Sequence, residues 1–226
     1  MHRLLSITSV ALITVGLVLL IDAGLTVAWK EPLSAIHAAL EQNAAEDQLD
    51  ALRTEAAESA GAIPEGEAEI RAEAEARATD FEDQLIRGNA IGRVEIASIG
   101  VEYVVVQGTD TDSLQKGPGH YPGTALPGQG RTVGIAGHRT TYGAPFHKID
   151  EIKEGDELIV EMPYATFSYE VNKIEIVTPE QVEIIKDVAY EQLVLTACNP
   201  LYSAAERYSV SAKLAGISFF ELGETA

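Results

Sequence analysis

Three patterns of hydrophobic and polar positions succeed one another along the chain. The first is continuous: Leu4 to Ile21 is an 18-residue stretch without a formal charge, extended past Asp22 to Ala28 and closed by Trp29-Lys30. An apolar helix of about 20 residues matches the thickness of a bilayer core, and Trp and Lys suit the membrane interface. Residues 1–30 therefore read as a transmembrane anchor. Asp22 falls near the outer end of the segment, where a carboxylate reaches headgroups rather than hydrocarbon. A cleaved signal peptide is the competing reading, with Thr26-Val27-Ala28 as a weak small-residue cleavage site.

The second pattern, over residues 31–88, is polar and rich in Ala and Glu, as in Arg71-Ala72-Glu73-Ala74-Glu75-Ala76-Arg77. That composition favours helix, and Ala60-Gly61-Ala62-Ile63-Pro64-Glu65-Gly66 interrupts it. Two solvated helical stretches around a break are expected, acting as a stalk. Leu33, Ile36, Ala39 and Leu40 have helical spacing, which marks either a short coiled-coil face or an exposed helix.

From residue 89 the period falls to two, in short runs separated by turn signals, and this predicts an all-β domain over 89–226. Arg93-Val94-Glu95-Ile96 alternates, Ser98-Ile99-Gly100 turns, and Tyr103–Val106 is β-rich. Glu154-Gly155-Asp156 turns into Leu158–Met162, and Phe167–Val171 alternates before Ile174–Val177. The apolar parity shifts across Asn172-Lys173, which predicts a bulge of the kind that lets a sheet bend into a barrel. Alternation by itself supports a small barrel or a sandwich.

Charge narrows the partners. The chain carries a formal charge of −19, and residues 31–88, with 15 acidic residues against four arginines, supply −11 of it. No nucleic-acid partner is expected from that balance. Arg3 before the apolar segment and the acidic stretch after it agree with the positive-inside tendency, so everything after residue 30 is expected outside the cell membrane.

The chemistry gathers at strand ends. Cys198, the only cysteine, closes the apolar run Leu193-Val194-Leu195-Thr196-Ala197-Cys198 before the breaker Asn199-Pro200. A single cysteine outside the cytoplasm is a candidate reactive thiol. Arg207 opens the alternating run Arg207–Leu214, which, folded back as a neighbour, would bring the guanidinium to the thiol. Thr132–Ala136 reads as another strand and delivers Gly137-His138-Arg139 at its exit. A zinc site over Cys198, His138 and His120 would need a fourth ligand that no CxxC or HxxxH spacing supplies, and Gly117-Pro118-Gly119 lacks the lysine and spacing of a phosphate loop. No cofactor is expected.

Here the chain resembles the sortases, membrane-anchored cysteine transpeptidases of the cell envelope. The resemblance covers about residues 89 to 218 and rests on Gly137-His138-Arg139-Thr140-Thr141-Tyr142-Gly143-Ala144-Pro145-Phe146, on Leu195-Thr196-Ala197-Cys198, on Arg207, and on Gly117-Pro118-Gly119-His120-Tyr121-Pro122-Gly123-Thr124. The last stretch is most similar to class E, with class D as the alternative. Where the family signature reads Thr-Leu-x-Thr-Cys, this chain has Val194 and Ala197 in place of both threonines.

The resemblance implies an eight-stranded β-barrel in which Cys198 is the nucleophile, His138 the acid-base group and Arg207 the oxyanion or substrate-backbone contact. It further implies that His120, Tyr121, Thr196 and Ala197 line the substrate groove, and that Tyr121 favours a Leu-Ala-x-Thr-Gly sorting signal over Leu-Pro-x-Thr-Gly. The expected reaction cleaves a surface protein's C-terminal signal between Thr and Gly and passes it to a peptidoglycan-precursor amine. A pilus-polymerising enzyme using a pilin lysine, and a non-catalytic scaffold that binds sorting signals, are the alternatives.

Overall fold

The computed structural model describes residues 2–28, 32–59, 61 and 63–220. Eight strands close a barrel: β1 (Ala90–Ile96), β2 (Val101–Gln107), β3 (Gly119–His120), β4 (Thr132–Gly137), β5 (Glu157–Met162), β6 (Ala165–Val177), β7 (Gln192–Asn199) and β8 (Glu206–Ser218), in the spatial order β1-β2-β3-β4-β7-β8-β6-β5. The β2/β3 and β4/β7 pairs are parallel and the rest antiparallel. This is the eight-stranded all-β barrel expected from the sequence. Alternation produces it directly, because one parity of each strand fills the interior: Val94 and Ile96, Leu158 and Val160, Phe167 and Tyr169, Leu193 and Leu195, and Val210 and Ala212 are all buried.

The parity shift at Asn172 is a bulge. β6 runs unbroken through it, and its register against β8 slips between Val171 and Lys173. An extra residue there re-aims the second half of the strand and lets one long strand follow the barrel's curve. Ser98-Ile99-Gly100 is the expected turn, with Gly100 in the left-handed region at φ 65°.

Before the barrel come three helices: α1 (His2–Ala28), α2 (Pro32–Ser59) and α3 (Glu67–Glu82). Among the described residues α1 holds the one helix long and apolar enough to cross a membrane, Ser6–Gly24, with mean hydropathy 2.1 and none of it buried. Trp29 and Lys30, the expected interfacial anchor, lie outside the described residues.

Two helices, α2 and α3, form within residues 31–88 as the composition of that segment predicts, but they are not solvated on all sides. Ala38, Ala45 and Leu49 of α2 are buried, with Leu49 and Ala45 packed against Ala90 and Val104 of the barrel. Gln42, on the same stripe, receives the Val104 N–H at 2.8 Å and donates to the carbonyls of Val104 at 3.1 Å and Lys116 at 2.8 Å. β3 pairs with β2 only at Val106 and Gln107, so one amide side chain satisfies strand-edge groups that β3 is too short to reach.

Farther along, Arg53 meets Glu161 of β5 at 2.6 Å, and Arg93 of β1 bonds to Glu46. From α3, Ala74, Ala78 and Phe81 join the main core, Phe81 lying 5.7 Å from the Tyr164 ring. The apolar face anticipated on α2 is the outer one: Ile36 is 60% and Leu40 64% exposed, while the side chain of Leu33 lies outside the described residues.

Candidate active site

Strand register assembles the site. β7 and β8 run antiparallel with Cys198 directly opposite Arg207, and β4 and β7 run parallel with Gly137 beside Ala197. His138, one residue past Gly137, therefore leaves β4 at the level of Cys198. The Cys198 thiol is free and partly exposed. Arg207 is held at one end of its fork, Nη1 donating to the carbonyls of Ala204 at 3.1 Å and Glu206 at 3.0 Å.

The imidazole of His138 has one nitrogen unsatisfied. Its Nε2 is buried and has no hydrogen-bond partner among the described residues. Burial also pushes its pKa below the ordinary histidine value, because removing water disfavours the charged ring. A buried polar atom kept without a partner costs free energy, and a reactive site is where such a cost persists.

The turn after His138 is built around that ring. Tyr142 stacks against it at 5.2 Å between centroids. Tyr142 has φ 48°, a conformation that costs a non-glycine residue free energy. Surrounding contacts hold it: the Tyr142 N–H donates to Ser34 Oγ of α2 at 3.1 Å, His37 of α2 meets its ring edge-on at 6.3 Å, and Tyr103 donates to the Gly143 carbonyl at 3.1 Å. The start of α2 thus braces the turn that carries the imidazole. Gly137 cannot be larger, since a Cβ there would lie 2.5 Å from the Phe146 ring.

The expected groove residues divide. Thr196 lies on the same face of β7 as Cys198, and its hydroxyl is 2.9 Å from the Tyr121 phenol. Gly134 makes room for that pairing, because a Cβ at 134 would meet Tyr121 at 2.9 Å. Ala197 faces the other way, into the core, so its methyl replaces a threonine inside the barrel and not beside the thiol. His120 is 2% exposed, with Nε2 donating to the Ala125 carbonyl at 2.9 Å and Nδ1 at 2.8 Å from the Gln107 amide oxygen. Both nitrogens serve the fold, and a zinc site over Cys198, His138 and His120 loses a donor. His120 and Ala197 thus turn inward, while Tyr121 pairs with Thr196 on the face of β7 that carries Cys198.

Sequence reasoning passed over Arg139, Asn199 and Glu206, each the chain neighbour of a site residue. Arg139 Nη1 donates to Asn199 Oδ1 at 2.8 Å, and Asn199 Nδ2 donates to Glu206 Oε2 at 2.8 Å. The signal was available: polar residues next to a strand-end thiol, imidazole and guanidinium have each other within reach once the strands pair.

Known proteins share this barrel. Residues 94–215 match the sortase domain family. The chain is 36% identical over 130 residues to Sortase D of Bacillus subtilis, covering 56% of this chain and 64% of that protein. It is 29% identical over 143 residues to Sortase SrtE1 of Streptomyces coelicolor, covering 56% of this chain and 41% of that protein. The solved structure of sortase E from Streptomyces avermitilis superposes with a TM-score of 0.56 at 32% identity, covering 62% of this chain and 97% of that one. The matched region spans less than two thirds of the length of these curated relatives, and the family match takes in His138, Cys198 and Arg207. With a family match over more than half its length, this chain belongs to the sortase domain family.

Proposed function

We propose that this protein is a membrane-anchored cysteine transpeptidase that cleaves a C-terminal sorting signal between Thr and Gly and joins the threonyl carbonyl to a cell-envelope amine. The observation that carries the reading is the register that sets Cys198 opposite Arg207 with His138 at the adjacent strand exit. Cys198, as the thiolate, attacks the threonyl carbonyl carbon. The oxygen becomes negative beside Arg207, whose guanidinium stabilises it. The tetrahedral species collapses as the C–N bond breaks, and His138, as imidazolium, gives its proton to the departing glycyl amine. A thioester remains. The incoming amine attacks it, neutral His138 takes the amine proton, and the thiolate leaves.

Residues 1–30 serve as the anchor, 31–88 as an acidic, partly helical stalk between membrane and barrel, and 89–226 as the catalytic domain, with the barrel outside the membrane. The acceptor is a peptidoglycan-precursor amine, and the signal is of the Leu-Ala-x-Thr-Gly type. Support for the second-position alanine comes from Tyr121. While its O–H donates to Thr196, the phenol oxygen keeps a lone pair that can accept a backbone N–H, which proline lacks. The non-catalytic reading rested on Ala197, whose place in the core removes that ground.

The test is a cleavage and transfer assay on the full chain in detergent, with a Leu-Ala-x-Thr-Gly peptide and an added amine. Release of the glycyl fragment and formation of the amine adduct are expected, both abolished in Cys198→Ala. Turnover by Cys198→Ala near that of the parent enzyme would overturn the reading.

A further inference from the structure

Arg139 is buried to 3% side-chain exposure yet carries a full charge and five donors. Its fork is used on several sides at once. Nη2 meets Asp150 at 2.7 Å, Nη1 donates to Asn199 Oδ1 at 2.8 Å and lies 3.5 Å from the Cys198 carbonyl, and Nε points to the His147 carbonyl at 3.4 Å. His147 Nδ1 returns a hydrogen bond to the Arg139 carbonyl at 2.8 Å, and the guanidinium sits 5.7 Å over the Tyr208 ring. Asn199 passes the connection on to Glu206 at 2.8 Å.

The chain Arg139–Asn199–Glu206 therefore ties the end of β4 to the end of β7 and the start of β8. Those are the three strand ends that carry His138, Cys198 and Arg207, each one residue away. Backbone pairing holds β7 to β8 as far as the Asn199–Glu206 pair, but the β4–β7 ladder stops at Gly137 and Ala197. Beyond that point, the link from the imidazole-bearing segment to the thiol-bearing one passes through Arg139.

We propose that Arg139 is a positioning residue, clamping through Asn199 and Glu206 the spacing of His138, Cys198 and Arg207. A planar fork is needed because Asp150 and Asn199 must be met together. A lysine supplies the charge but only a point contact. The inference rests on the transpeptidase reading for its kinetic consequence. Misplacing a catalytic group by about 1 Å can cost on the order of a hundredfold in rate, so loss of the clamp is read chiefly in kcat.

The experiment uses full-length Arg139→Lys and Asn199→Ala in detergent, each first checked for a cooperative thermal transition. Two readouts follow. In the peptide transfer assay each variant is expected to lower kcat at least about tenfold with KM held within about threefold, the pattern of a disturbed reacting geometry. In the second, alkylation by iodoacetamide is followed against pH. Cys198 is the only cysteine in the chain, so the rate reports one thiol, and the variants' profiles should move from the parent profile toward that of His138→Ala.

A purely structural arginine would lower the melting temperature and leave both readouts of the folded protein in place. A kcat loss below tenfold in a folded variant, or an alkylation profile superimposable on the parent's, overturns the clamp. If Arg139→Lys does not fold, Asn199→Ala decides. If the parent enzyme shows no transfer at all, the transpeptidase reading fails separately and the alkylation profiles judge the clamp.

Discussion

Leu49→Ala distinguishes a helix that belongs to the fold from one that merely spaces the barrel from the membrane. Leu49 is 0% exposed and packs with Ala45, Ala90 and Val104. The substitution removes three carbons at about 0.8 kcal/mol each. A residual cavity adds to this, because the site is walled on one side by a barrel that cannot collapse inward. A loss of about 3 kcal/mol is expected, and for a folded unit of this size it lowers Tm by roughly 6–12 °C.

Calorimetry of the full chain in detergent measures the shift, with Ile36→Ala and Leu40→Ala as controls. Those side chains are 60% and 64% exposed on the opposite face of the same helix, so their cost should stay within about 0.5 kcal/mol. If Leu49→Ala melts within about 2 °C of the parent, or no lower than the controls, α2 is a solvated spacer and the packing argument fails. If it holds, removing residues 31–85 uncovers apolar barrel surface and leaves the Val104 edge without Gln42, so the isolated barrel should be markedly less stable than the full chain.

Three further outcomes are expected. Because burial lowers the pKa of His138, its ring should titrate below about 6.5 when followed by NMR; a midpoint at or above that value would remove the desolvation argument. Tyr121→Phe should reduce turnover of a Leu-Ala-x-Thr-Gly peptide about tenfold, the scale of one unmade buried hydrogen bond of about 1–3 kcal/mol, and leave a Leu-Pro-x-Thr-Gly peptide nearly unchanged; equal losses on both would make Tyr121 a groove wall. Glu191, whose carboxylate is pushed up chiefly by burial while accepting from Gly128 N–H, Gly130 N–H and Tyr169 O–H, binds a proton in the folded state at pH values where the unfolded chain has lost it, so stability should fall as pH rises from its unfolded pKa through its raised folded one. Urea titrations of parent and Glu191→Gln should differ in slope only across that window, and identical slopes would refute the assignment.

What was legible in the sequence follows from how each element is stabilised. Strands β1, β5, β6 and β8 show themselves by alternation, because one parity fills the barrel, β7 shows itself as a continuous apolar run, and even the bulge at Asn172 appears as a break in parity. Strand β3 does not. At two residues it has no periodicity to display, and its place comes from Val106 and Ala136 on either side. Cys198, His138 and Arg207 stand out as candidates because each sits where an apolar run meets a breaker or a charge, which is a local property. The burial of His120 and Ala197 is not legible for the converse reason. A loop histidine and a strand-end alanine carry no local mark of which way they face, and only the register against β2 and β4 turns them inward.

The stripe Ala38, Gln42, Ala45, Leu49, Leu52 has helical spacing as regular as that of Ile36 and Leu40, but three of its five members, Ala38, Gln42 and Ala45, are small or polar, so it does not stand out by hydrophobicity. Small size is what the packing requires, since close approach of α2 lets one glutamine reach both β2 and the Lys116 carbonyl. Hydrophobicity ranks faces by transfer free energy, whereas a helix laid against a strand edge is selected by how near its backbone can come and by which edge groups it satisfies. The same distinction governs the active site. The candidate reacting groups announce themselves by chemical type, while the hydrogen-bonded chain beside them, Arg139, Asn199 and Glu206, becomes visible only when three strand ends separated in sequence are brought together. The neighbours of a strand-end nucleophile are therefore the first place to look for what fixes its geometry.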